Sequence, residues 1–140
     1  MGSRKHIRAE KEKEEKKSLY FAKLTNNPSS PRKTRLMADL IRGVNVEKAL
    51  HTLQYSSKES AIKLRKLLLS AIANWQSKNE GVRIEESNLY IKEVFVDGGR
   101  QLKRIRTAPQ GRAHRIRKRS SHITMILDSR ISVAEKTENN

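Results

Sequence analysis

Between residues 18 and 127 the apolar positions recur with two different spacings, and each change of spacing marks an element. Ser18 to Thr25 is dense in apolar and aromatic side chains (Leu19, Tyr20, Phe21, Leu24), which predicts a strand. Asn26-Asn27-Pro28-Ser29 reads as a turn. Ser30 followed by Pro31 predicts a helix start: the Ser side chain can cap free N–H groups, and Pro at the first position has none to satisfy. This helix runs to about Arg42 and stops at Gly43, the residue best able to take the left-handed conformation. Leu36, Met37, Leu40 and Ile41 form its expected apolar face. After Asn45 a second helix places Val46, Ala49, Leu50 and Leu53 on a buried face by their i, i+3, i+4, i+7 spacing. Ser56 with Glu59 forms a capping-box pattern for a third and longest helix, about Ser57 to Ser77. Its expected core stripe is Ala61, Leu64, Leu68, Ala71, Ile72 and Trp75, and Asn79-Glu80-Gly81 ends it.

The period then drops to two. Leu89 to Val96 reads as a strand of β-branched and aromatic residues. Ser121 to Leu127 reads as another, with Ile123, Met125 and Leu127 alternating with His122, Thr124 and Ile126. The segment between them has Pro109-Gln110-Gly111 near its middle, so the two strands join as a hairpin. At ~3.3 Å per residue, the stretch from Val96 to Pro109 would carry its tip roughly 40 Å beyond the sheet. An arm of that length has no core of its own and needs a surface to lie in. Asp97-Gly98-Gly99 reads as a bulge or bend at its root. The expected fold class is α+β, three helices packed on a small antiparallel β-sheet with a long protruding basic β-hairpin. Residues 18–130 form a single domain whose extended hairpin covers 97–121. They follow a charged N-terminal extension, 1–17, and precede a flexible C-terminal tail, 131–140, that carries Glu135 and Glu138. In the extension, Glu10, Glu12, Glu14 and Glu15 alternate with Lys11, Lys13, Lys16 and Lys17. That pattern suits either a solvated helix with i,i+4 pairs or, as favoured here, a mobile arm that orders on RNA.

Charge sharpens the picture. Thirty-one Lys and Arg against fifteen Asp and Glu leave a formal net charge of +16 on 140 residues, so a polyanion is the natural partner. Apolar residues make up 35% of the chain and aromatics 4%, which implies a thin core and segments that depend on a partner for order. The longest apolar run, Leu67-Leu68-Leu69, falls far short of the ~20 residues of a membrane span. The start of the chain lacks the apolar segment of a secretion signal, and there is no cysteine for disulfides or thiolate metal sites. A soluble intracellular protein without membrane partner or cofactor is expected.

The chemistry concentrates in the arm. From Arg100 to Arg119 the basic residues are Arg100, Lys103, Arg104, Arg106, Arg112, Arg115, Arg117, Lys118 and Arg119, nine in twenty with no Asp or Glu. Solvated faces normally mix signs, and this segment does not. Arg outnumbers Lys in it by seven to two, and a guanidinium can fork onto phosphate and also stack on a base. Gly111 and Ala113 let a backbone approach closely. A second cationic site is expected where Arg32, Lys33 and Arg35 surround the N-terminus of the Ser30 helix, with its free N–H groups. His6, His51, His114 and His122 fall in four different elements, and no carboxylate stands at a metal-ligand offset. There is neither a Gly-rich phosphate loop nor a Ser nucleophile elbow, so no enzyme is read.

Two long motifs carry a resemblance. Ser30-Pro-Arg-Lys-Thr-Arg-Leu-Met-Ala-Asp-Leu-Ile-Arg-Gly43 resembles the first-helix signature of the bacterial large-subunit ribosomal protein number twenty-two family. Gly111-Arg-Ala-His-Arg-Ile-Arg-Lys-Arg-Ser-Ser-His-Ile-Thr124 resembles that family's returning hairpin strand. Ser70 to Asn74 and Val94 to Asp97 also fit in order. The resemblance spans about Leu24 to Arg130. It implies a hairpin running through large-subunit ribosomal RNA and a role in holding several RNA domains together during assembly. Its tip, Arg106-Thr107-Ala108-Pro109-Gln110-Gly111-Arg112, would lie at the wall of the nascent-peptide exit tunnel. The implied partners are ribosomal RNA, neighbouring ribosomal proteins and the nascent peptide, with no homo-oligomer. The tip departs from the family's usual Met-Pro-Arg-Ala-(basic)-Gly: the proline is displaced and a basic residue is lost. The main alternative is an architectural DNA-binding protein that inserts a basic β-arm, with Pro109 as the wedge. A helix-turn-helix around Gly43 lacks any other supporting signature.

Overall fold

The computed structural model describes residues 3–79 and 82–130, so the expected tail 131–140 and Glu80-Gly81 lie outside the described residues. Three strands, β1 (Tyr20–Asn27), β2 (Leu89–Thr107) and β3 (Ala113–Ser129), form an antiparallel sheet in the order β1-β3-β2. Three long helices, α2 (Pro31–Ile41), α3 (Val46–Tyr55) and α4 (Glu59–Lys78), pack with it, and a short α5 (Ile84–Ser87) precedes β2. The fold class read from the sequence is the one observed. Ser3–Ser18 forms a helix, α1, without a buried residue, joined by the i,i+4 pairs His6–Glu10 and Arg8–Glu12. The solvated helix therefore replaces the mobile arm favoured from sequence.

Two bulges make the sheet work. An extra residue on β2 between Ile91 and Glu93 shifts the inward phase, so that Leu89, Ile91, Val94 and Val96 are all buried. Another on β1, between Leu24 and Asn27, lets Ala22 and Asn27 both face inward, with Asn26 at φ 56°. β3 needs no correction: Ser121, Ile123, Met125 and Leu127 alternate inward without a break. The helices cover this face and leave Phe21 and Phe95 exposed on the other. The core closes on Trp75, which meets the Tyr20 ring edge-on at 6.2 Å between centroids.

Both sheet edges are capped by helix side chains. On β2, Arg42 donates to the Val94 carbonyl and Arg35 to that of Val96, while Gly43 and Val44 pair with Ile91 through the backbone. On β1, Asn74 donates to the Phe21 carbonyl and Lys78 to that of Leu19. In the body of the sheet these contacts occupy part of each edge and so leave less of it open to another strand.

Three local expectations are corrected. α2 buries Thr34, Met37, Ala38 and Ile41, whereas Leu36 and Leu40 are 65% and 59% exposed. The small Thr34 and Ala38 side chains let the helix lie close on the sheet, which rotates the two leucines outward. Ser30 caps with its carbonyl alone, which accepts from Thr34 N and Oγ1. The capping box is absent because α4 starts at Glu59, whose carboxylate takes Lys63 Nζ at 2.9 Å. α3 is capped by Asn45, whose Oδ1 accepts from Glu47 N at 3.0 Å. The six expected core residues of α4 are all buried.

Candidate nucleic-acid interface

A buried polar knot sets the root of the arm. Asn27 Nδ2 donates to Ser121 Oγ at 3.1 Å, and Ser121 Oγ donates to the Ser29 carbonyl at 2.9 Å. Ser29 Oγ lies 3.3 Å from Ser60 Oγ on α4. Asn27 and Ser121 are 2% and 0% exposed, so this knot ties the β1–α2 turn, the base of β3 and α4 together inside the molecule. On the outer side Asn26 N donates to His122 Nδ1, and Ser120 Oγ donates to the Arg100 carbonyl. None of these anchors was read from sequence. One signal was available: carrying the Ile123, Met125, Leu127 alternation back two residues turns Ser121 inward.

The expected bulge sits between Gly98 and Gln101, where pairing passes from Gly98↔Ser121 to Gln101↔Arg119. A Cβ on Gly99 would lie 2.7 Å from Ser120 Oγ and 3.2 Å from the Ser120 carbonyl carbon, so a side chain there would have to displace the Ser120 hydroxyl and press on its backbone. β1 ends at Asn27, opposite Ser121, and beyond that pair the hairpin is a two-stranded ribbon. From Arg100 to Arg119 every residue is exposed except the half-buried Ala108.

Pairing sorts the cations by face. Gln101, Lys103, Ile105 and Thr107 lie opposite Arg119, Arg117, Arg115 and Ala113 on one face. Leu102, Arg104 and Arg106 lie opposite Lys118, Ile116 and His114 on the other. Most cations thus cross from an apolar or neutral side chain on which their methylene stems can lie. Lys103 and Arg117 are the exception, two like charges directly opposed. At the tip Arg112 N donates to the Pro109 carbonyl at 3.4 Å across Gln110 (φ 62°) and Gly111 (φ 71°). Two successive positive φ values match the turn that suits a twisted hairpin.

The two basic clusters expected from sequence meet in part. A cleft of about 630 Å³ lies between body and arm, lined by Ser30, Pro31, Arg32 and Arg35 on one side and Gly98, Arg117 and Arg119 on the other. Arg35 is also structural, holding the Val96 carbonyl through Nε at 3.1 Å and Nη2 at 2.8 Å. Lys33 is not part of the cleft; its charge bears instead on Glu59, whose carboxyl is held below the ordinary range mainly by the hydrogen bond from Lys63. Arg100 and Lys118 flank a second groove with Asn26, Pro28 and Leu102, and Arg119 borders both. Arg104, Arg106, Arg112 and Arg115 stand farther out along the ribbon or its turn. The four histidines are spread over α1, α3 and β3, and no group of three metal-ligating side chains occurs among the described residues.

A compact helix-on-sheet body with an acid-free cationic ribbon defines a basic-armed nucleic-acid-binding protein. The family described as Ribosomal protein L22p/L17e matches residues 22–128, and the chain belongs to that family. It is 65% identical over 127 residues to large ribosomal subunit protein uL22 of Christiangramia forsetii, covering 91% of this chain and 94% of that protein. It is 61% identical to the protein of the same name from Flavobacterium johnsoniae, over 91% of this chain and 93% of that one. To that of Bacteroides fragilis strain YCH46 it is 58% identical, over 93% and 95%.

Proposed function

We propose that this chain is a structural, non-enzymatic constituent of the large ribosomal subunit in the cytoplasm. It binds large-subunit ribosomal RNA through the ribbon Arg100–Arg119 and through Arg32, Lys33 and Arg35. Family membership supports the ribosomal part of this reading. The observation that carries the RNA part is the arm itself, a twenty-residue ribbon with nine cations, no carboxylate and no fully buried residue. Among the described residues no buried contact holds the ribbon beyond its root, and a polyanion would relieve its self-repulsion. RNA packed around it supplies both counter-charge and a surface. An element that reaches far from the body also joins RNA segments that the body alone could not touch, which suits a role in assembly. The tip, Arg106 to Arg112, then lies deepest in the RNA, at the wall of the nascent-peptide exit tunnel.

The test is sedimentation of a lysate expressing the tagged chain. It should co-sediment with large subunits and whole ribosomes and stay there through a salt wash; recovery only at the top of the gradient would overturn the assignment. Binding of purified chain to RNA and duplex DNA at matched salt distinguishes the architectural DNA reading, which requires a DNA-preferring dimer.

A further inference from the structure

α2 and β3 each present two arginines to the same cleft by their own periodicity. Arg32 and Arg35 are three apart on a helix face, and Arg117 and Arg119 are two apart on a strand face. Among the described residues no ion pair or hydrogen bond engages the side chains of Arg32, Arg117 or Arg119, and no carboxylate lines the cleft. Arg35 is pinned at Val96 through two of its nitrogens, so one of the four is pre-positioned. Gly98, at the bulge where the ribbon leaves the sheet, lies in the same lining. Four guanidinium groups gathered without a counter-charge repel one another, and a fork geometry that suits phosphate oxygens is what they share.

We propose that this cleft clamps a single stretch of RNA phosphate backbone, held at once by Arg32 and Arg35 of the body and by Arg117 and Arg119 of the arm. Binding there splints the bulge and fixes the direction of the arm relative to the body. The two cationic clusters then act as one site and not as two independent ones. This rests on the RNA-binding reading above and adds to it which cations work together.

A double-mutant cycle separates the two ideas. Binding of the full chain to a transcript of bacterial large-subunit ribosomal RNA is measured for Arg32→Ala, Arg119→Ala and the pair. Arg32→Ala with Arg104→Ala, which lies on the opposite face of the ribbon, is the comparison. Each single change should weaken binding about tenfold, a size suited to one charge-assisted contact. The Arg32/Arg119 pair should stay near tenfold, whereas Arg32/Arg104 should approach a hundredfold. Multiplication in both pairs overturns the clamp while leaving RNA binding intact; failure of the parent chain to bind overturns the underlying reading. The chain has no cysteine, so spin labels at Gln54→Cys on α3 and Thr107→Cys near the tip report the arm's direction. RNA should narrow their distance distribution in the parent and in Arg104→Ala, but not in the Arg32/Arg119 double variant. Narrowing by inorganic pyrophosphate alone would assign the cleft to a free anion and overturn the RNA occupant.

Discussion

Adjacent glycines at the arm's root differ because their surroundings differ. A Cβ on Gly98 meets nothing within 4 Å, while one on Gly99 strikes Ser120 from the side-chain and backbone directions. Gly99→Ala should therefore cost ~1–3 kcal/mol as overpacking, and Gly98→Ala should stay within about 0.5 kcal/mol, both read from urea unfolding. Equal effects would show that the root relaxes around either methyl. Arg35 offers a second contrast. Its two bonds to the Val96 carbonyl are partly exposed, so Arg35→Ala should lose about 1 kcal/mol and lower the melting temperature by a few degrees. Arg32→Ala, with no such partner, should melt like the parent. The cationic residues were legible in the sequence because charge survives any folding. Their division of labour was not, since the Val96 carbonyl that claims Arg35 lies 61 positions away.

Elements were legible where apolar periodicity was strong. The stripe of α4 and the alternation of β3 both fall on buried positions, because side chains at those spacings have one place to go. α2 shows the limit of that signal. Apolarity favoured Leu36 and Leu40, but close approach to the sheet favoured Thr34 and Ala38, and a period count cannot weigh small size against hydrophobicity. The edge caps were equally hidden, since Asn74 and Lys78 on α4 look like any solvated pair until β1 lies beside them. This division between body and arm makes a testable difference. Leu68→Ala removes a fully buried side chain and should destabilise by ~2–5 kcal/mol. Arg115→Ala removes an exposed one and should leave the melting temperature unchanged while weakening RNA binding. Unfolding of the free chain by the arginine change would mean that the ribbon is packed on the body.

At the scale of the molecule, the body is closed and the arm is open. Helices cover one sheet face, side chains cap both edges, and a polar knot fastens the turn beside the hairpin. Past Ser121 none of these devices continues. The ribbon keeps one ladder of backbone bonds with water on both faces, which for an isolated pair of strands is marginal in stability. Lys103 against Arg117 weakens it further, and of its apolar side chains Leu102, Ile105 and Ile116 are 48%, 77% and 40% exposed. RNA would neutralise the repulsion and bury those three side chains, so binding and ordering should be one event whose entropy lowers the net affinity. Amide hydrogen exchange of the free protein should accordingly show strong protection around Leu68 and in the sheet from Ile123 to Leu127. Protection should fall sharply past the bulge and nearly vanish from Lys103 to Arg117. In the assembled particle the same amides should become protected, least so at the Pro109-Gln110-Gly111 turn. Strong protection of the ribbon in the free monomer would show that its backbone ladder suffices alone, and that RNA receives a finished arm instead of completing one.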